Sequence, residues 1–237
     1  MPAFLRNLLL VLGMATIAGA ALAAPPAASP TPEPAPAASP APPAPAVRLP
    51  PRMTESDYRL GDPKAKVTMV EYASDTCPHC ARFAGEVFPA FKAKYVDTGK
   101  VLYIFREFPT DPVQLSAAGF LVARCSGYDK YFDVVNALFQ AQKTAKSGLD
   151  FLMGGAKVGG LSEDQAKACL DNPTALADLN KRVENAANVE KIDGTPTFVV
   201  NGKKLPDGEK TIKDLDAAIE PLLPATTTKA VQKRRGA

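Results

Sequence analysis

The chain has 237 residues, a formal charge of +3 at pH 7, four cysteines and a single histidine. That length allows one ordinary folded domain beside non-globular ends, and so small a charge, without a basic stripe carrying interleaved aromatics, argues against nucleic acid as a partner. With one histidine and one close cysteine pair, the second ligand pair that a zinc site needs is missing, so no metal is expected.

Residues 1–23 read as a secretory signal. Arg6 stands in a short polar start, an apolar run extends from Leu8 to Ile17, and Ala21-Leu22-Ala23 forms a small-x-small cleavage site. The run is shorter than the ~20 residues that cross a bilayer, so export is expected over an uncleaved anchor. Residues 24–52 collapse to Pro and Ala, a composition that cannot bury a core and favours an extended polyproline spacer. Folding should begin near Asp57 and end near Leu223, leaving 224–237 as a basic, solvated tail with Lys229, Lys233, Arg234 and Arg235.

Val67 to Ala73 is β-branched and apolar and too short for a helix, which marks a strand. It runs into Thr76-Cys77-Pro78-His79-Cys80, after which Phe83, Val87, Phe88, Phe91 and Tyr95 recur at near-helical spacing, with Pro89 expected to bend the helix. Cys77 thus falls at a helix N-terminus, where unpaired N–H groups and the positive end of the macrodipole favour a thiolate. His79 would add to this by charge or hydrogen bonding. Cys80, one turn further in, can close a disulfide with Cys77 or attack a mixed disulfide. A redox dithiol is the expected chemistry, with no cofactor.

A second strand is expected from Val101 to Phe108, parallel to the first because a helix connects them. Helices fill the next eighty residues or so. Asp111 is expected to cap the first, with Pro112 opening it and Leu115, Ala118, Val122 and Cys125 on its apolar face. Tyr131, Val134, Val135, Leu138 and Phe139 mark a second helix. Leu149, Leu152 and Met153 mark a short third one, broken by Gly154, Gly155, Gly159 and Gly160. Ser162 to Gln165 forms a capping box before a helix carrying Cys169, and Asn172-Pro173 opens another with Leu176, Leu179, Val183 and Ala187 inward. Strand character returns at Thr197 to Val200, where Asn201-Gly202 turns the chain into Lys203-Lys204-Leu205. A capping box at Thr211 to Asp214 opens a last helix carrying Ile212, Leu215, Ile219 and Leu222, ended by Pro221 and Pro224. With Cys77 and Cys80 as one pair, the even cysteine count makes Cys125 to Cys169 the expected structural disulfide, two buried free thiols being the other reading.

Together these residues are similar to the thioredoxin-like disulfide oxidoreductases, and most closely to the DsbA family of exported bacterial thiol oxidases. The resemblance rests on the strand, on Cys77-Pro78-His79-Cys80 opening a helix, on the helical insertion, and on Thr195-Pro196 before a hairpin and closing helix. It implies an α/β, thioredoxin-like fold with an inserted all-helical subdomain, split as 53–110, 111–190 and 191–223. It implies that Pro196 is cis and faces the active cysteines, and that Glu71, six residues before Cys77, is a buried acid assisting proton transfer. The family's lysine partner for that acid has no counterpart on the second strand. Thr195, where Val is common, resembles isomerases and some other DsbA-like branches.

The function implied is a periplasmic oxidase acting on unfolded or cysteine-containing exported proteins. Its re-oxidation would fall to a membrane quinone-linked thiol oxidase of DsbB type. A disulfide isomerase or reductase of the same fold is the alternative, and a non-catalytic client-binding module is another. The spacer occupies the place where isomerase relatives carry an oligomerisation segment, which favours a monomer.

Overall fold

A computed structural model of the chain describes residues 57–224. The expected leader (1–23), the Pro/Ala-rich spacer (24–52) and the tail beyond residue 224 lie outside the described residues. Five strands form one mixed sheet in the order β1-β3-β2-β4-β5: β1 (Tyr58–Leu60), β2 (Val67–Ala73), β3 (Val101–Glu107), β4 (Thr197–Val200) and β5 (Lys203–Lys204). β2 and β3 are parallel, with Val67 opposite Val101 and Ala73 opposite Glu107. β4 flanks β2 and β1 flanks β3, both antiparallel. β1 went unread in the sequence because three residues carry no periodicity; burial of Tyr58, stacked on Tyr131 beneath the Arg124 guanidinium, holds it in place.

Both faces of β2 and β3 are covered, which is why β3 reads as an almost unbroken apolar run. Val67 and Met69 join the main core, and Glu71 has the same parity. Tyr72 points to the other side, into a smaller cluster with Ala186, Ile192 and Val199. The helical run after the dithiol alternates α1 (Pro78–Arg82) and α2 (Phe88–Phe91) with π-helical Phe83–Val87 and Lys92–Val96. Pro89 has no N–H to donate, and the turn before it widens so that the Phe88 N–H reaches the Phe83 carbonyl.

Between β3 and β4 stand α3 (Val113–Cys125), α4 (Tyr131–Ala141), α5 (Gly148–Val158), α6 (Glu163–Leu170) and α7 (Pro173–Asn188); α8 (Ile212–Ile219) follows the β4–β5 hairpin. This is the α/β, thioredoxin-like arrangement with a helical insertion. The capping boxes at Ser162/Gln165 and Thr211/Asp214 form, Asn172 caps α7, and Asn201 and Gly202 take the positive φ values of a tight hairpin turn.

The structure corrects the sequence reading at several places. Pro112, with an extended backbone and a cis bond from Asp111, is itself the N-cap of α3, so Asp111 stands one residue too early for its carboxylate to cap. The buried residues of α3 are Ser116, Gly119, Phe120, Leu121, Val122 and Ala123, so Val122 lies inward as expected while Cys125 is exposed and not on the core face. Small residues, invisible to an apolar count, define that side: a Cβ on Gly119 would lie 2.0 Å from an Asp75 carboxyl oxygen. Gly154 and Gly155 do not break α5, which runs through them to Val158. A Cβ on Gly155 would sit 2.8 Å from the Leu138 side chain, so the glycine lets α4 and α5 approach. Finally Leu149, Leu176 and Leu222, read as core positions, are exposed: Phe151, Leu152 and Ala156 carry the packing of α5, Leu179 and Ala186 that of α7, and α8 ends at Ile219, before Leu222.

Candidate active site

β2 ends at Ala73, and the next four residues carry the chain from the sheet to the helix head. Ser74 is buried and ties this segment to the insertion. Its hydroxyl lies 2.9 Å from that of Ser116 and accepts from the Thr110 amide at 3.1 Å. Gln142, the C-cap residue of α4, donates to the carbonyls of Asp75 at 2.8 Å and of Cys77 at 3.1 Å. Sequence reasoning missed Ser74, Ser116 and Gln142 because polar residues flanking helices carry no local sign of a distant backbone partner. Asp75 is fully buried against Gly119, and burial pushes its carboxyl well above the usual range.

Held in this way, Cys77 takes an extended N-cap conformation (φ −78°, ψ 121°) with Pro78 at the first helical position. Both thiols are free, Cys77 at the margin of the core and Cys80 wholly inside it. Their acidities are driven apart. A hydrogen bond from Cys80 is the largest influence on Cys77; with Thr195 and the backbone N–H groups of Cys80 and His79 it outweighs burial and lowers the thiol to about 5. Burial raises Cys80 well above the ordinary range, reinforced by its donation to Cys77 and by the charge of Glu71. The loop before β4 closes the site: Thr195-Pro196 is cis, and Cys77 Sγ donates to the Thr195 carbonyl at 3.4 Å.

Glu71 is 2% exposed, and burial pushes its carboxyl up to about 8. Its partner is not a lysine but Tyr103 of β3, whose hydroxyl donates to Glu71 Oε2 at 2.6 Å. Glu71 acts electrostatically on both Cys77 and Cys80, so the three groups share one environment. Pro78 and His79 are exposed. The imidazole of His79 bonds through Nδ1 to Glu209, which also receives the Arg82 guanidinium, so the side chain is tied to the loop before α8. What His79 lends to Cys77 is its backbone N–H.

Cys125 and Cys169 are disulfide-bonded, joining the end of α3 to α6 with their Cα atoms 6.1 Å apart. Among the described residues, no group of three or more His, Cys, Asp or Glu side chains is placed to hold a metal ion. No described helix is long and apolar enough to cross a membrane.

Two thiols of opposed acidity, one at the margin of the core and one wholly inside it, suit a single chemistry: exchange between a dithiol and a disulfide. Comparison with known proteins agrees. The chain belongs to the thioredoxin family, whose model matches residues 53–221, and is a disulfide oxidoreductase of DsbA-like fold. A Rickettsia conorii protein named "putative protein-disulfide oxidoreductase" is 35% identical over 189 residues, covering 78% of this chain and 67% of the relative. The Rickettsia prowazekii counterpart is 34% identical over 184 residues, covering 76% and 66%. This chain therefore spans about two thirds of the length of these relatives. Among solved structures, alpha-DsbA1 of Wolbachia pipientis superposes with a TM-score of 0.64 at 32% identity, covering 72% of this chain and 92% of that one. BdbD of Bacillus subtilis, at 23% identity and a TM-score of 0.60, shares the fold.

Proposed function

We propose that the protein is an exported thiol oxidase that introduces disulfides into unfolded or cysteine-containing clients. The observation that carries this reading is the gap between Cys77, lowered to about 5, and Cys80, raised well above the thiol range. In the oxidised enzyme a client thiolate attacks Cys77 Sγ, and the Cys77–Cys80 bond breaks with its electron pair going to Cys80. Cys80 is the stronger base and takes a proton, for which Glu71 is the buried donor, protonated at neutral pH because its carboxyl is pushed up to about 8. A second client thiolate then attacks the client sulfur of the mixed disulfide. Cys77 leaves as a thiolate, and its low proton affinity makes it a good leaving group. The client gains a disulfide, and the enzyme is left reduced by two electrons.

Thr195 and Pro196 would border the client beside Cys77, while Pro78 and His79 form the exposed rim. In this reading the enzyme works as a periplasmic monomer, delivered by the expected leader, with a membrane quinone-linked thiol oxidase restoring the Cys77–Cys80 disulfide. The disulfide between Cys125 and Cys169 is structural. The test is disulfide formation in a reduced, unfolded client, run beside rearrangement of a scrambled one. Rapid oxidation that vanishes in Cys77→Ser supports the oxidase. Rearrangement without net oxidation selects the isomerase alternative, and client binding that survives Cys77→Ser without turnover selects the non-catalytic module.

A further inference from the structure

The aromatic cluster beneath α1 and α2 contains one polar atom whose position packing alone does not explain. The Tyr103 ring is 3% exposed, with centroids of Phe88 at 4.8 Å, Phe91 at 6.2 Å and Phe132 at 6.2 Å. From this apolar setting its hydroxyl donates to Glu71 Oε2 at 2.6 Å. The strand register brings the two together: Tyr103 is opposite Met69, two residues before Glu71 on the same face of β2. Burial holds the phenol un-ionised far beyond the ordinary range, so it stays a donor at any working pH. A hydrogen bond to a carboxylate is about twice as strong as one to a neutral group, so the Tyr103 hydroxyl favours the ionised form of Glu71.

The groups facing Glu71 are few. Cys77 and Cys80 face it from the dithiol segment and α1, and Tyr103 from β3. On β4 its cross-strand partner is the uncharged Phe198. Tyr131 of α4 acts on Tyr103, and no cation forms an ion pair with Glu71 among the described residues. The donor that meets the carboxylate is thus the neutral Tyr103 hydroxyl, where a lysine would have supplied a charge.

We propose that Tyr103 is a positioning residue that, through its hydrogen bond to Glu71, sets the pH range over which this carboxyl trades a proton with Cys80. The proposal deepens the exchange reading above and rests on it. When an incoming thiolate bonds to Cys77 Sγ, the Cys77–Cys80 bond breaks and its electron pair stays on Cys80. The Glu71 proton moves to Cys80 Sγ, and the carboxylate left behind is held by the Tyr103 hydroxyl. On re-oxidation the proton returns to Glu71 as the Cys80 sulfur attacks. The only oxidant in either direction is a disulfide.

Tyr103→Phe keeps the ring and its packing and removes only the donor. The Glu71 carboxyl is followed in the oxidised protein by its infrared C=O band, and exchange by single-turnover reaction of the Cys77–Cys80 disulfide with reduced glutathione across pH. Loss of a hydrogen bond to a charged group should move the Glu71 midpoint up by about one to two pH units, and the exchange profile should move with it. The Cys77 thiolate titration should stay close to that of the unaltered protein. Fluorotyrosine at position 103, a stronger donor in nearly the same volume, should move both upward shifts in the opposite direction, and serves if Tyr103→Phe fails to fold. An unmoved infrared midpoint, or a moved midpoint with an unmoved exchange profile, overturns the proposal. Absence of exchange by the unaltered chain would remove the exchange reading itself, and this proposal with it; an isomerase or reductase role would leave the pH shift in force.

Discussion

Lowering the pH through about 5 should protonate Cys77 in the reduced protein and cancel most of its oxidising power. The thiol stands at about 5 in the fold against a reference of 9.0, so between those values the folded, reduced chain binds one proton fewer than the unfolded one. The stabilisation is complete above the unfolded value and is lost as pH falls through the folded one. At pH 7 it amounts to 1.36 × (7 − 5), or ~2.7 kcal/mol, an upper figure because solvent at the mouth of the site screens part of it. The oxidised protein has no thiolate, so the whole effect enters the redox equilibrium as ~60 mV of added oxidising power. In DsbA the corresponding thiol stands at ~3.5; this site, with the His79 imidazole tied to Glu209, should be a milder oxidant. Ultraviolet titration of the thiolate in reduced protein gives the midpoint, and equilibration with glutathione at two pH values gives the potential. A midpoint above 7, or a potential matching that of thioredoxin at neutral pH, would refute the reasoning.

Three further outcomes follow from named contacts. Because Glu71 is raised to about 8, the native state holds a proton there that the unfolded chain releases near 4.5, so stability falls as pH rises between the two. Glu71→Gln in oxidised protein should flatten that slope and gain up to ~3 kcal/mol at pH 7, read from denaturant melts; an unchanged slope would sink it. His79→Pro deletes a backbone donor to Cys77 and should raise its titration midpoint, whereas His79→Ala keeps that N–H and should leave it within about half a unit, so equal shifts in the two would contradict the geometry. Replacing Cys125 and Cys169 together by Ser opens a loop with a sequence separation of 44 and should cost ~4 kcal/mol, lowering the melting temperature by about 8 to 16 °C while client oxidation persists. Loss of redox turnover in a folded double variant would show that the pair is more than structural.

The route from dithiol to sheet explains why a mild change of sequence at this site can alter its chemistry. Cys77 owes its lowered pKa to the helix head, to Cys80 from α1 and to the Thr195 side chain from the loop before β4, while Gln142 from the insertion holds the backbone of the segment. None of these three residues is covalently near another, so the sheet register and the docking of α4 set their spacing.

Local rules sufficed wherever the physics is local. β2 is legible from a short β-branched and apolar run, the helix head at Cys77 from a strand giving way to helical spacing, and three helix starts from capping residues, because each depends on neighbours within one turn or one pleat. Pro89 announced the disturbed helix in which π-turns occur, through its missing N–H. The contacts that tune the site span far longer stretches of chain: Tyr103 to Glu71 across 32 residues, Gln142 to Cys77 across 65, Thr195 to Cys77 across 118 and Glu209 to His79 across 130. Such pairs exist only once β3 lies beside β2 in its particular register and the insertion has folded back over the end of β2. The amino-acid sequence by itself therefore determined that one cysteine sits at the head of a helix with a second thiol one turn below. Tertiary structure decided how far the two thiols part, because burial in the assembled core raises Cys80 and the distant Thr195 adds to the motif's own hydrogen bonds in lowering Cys77.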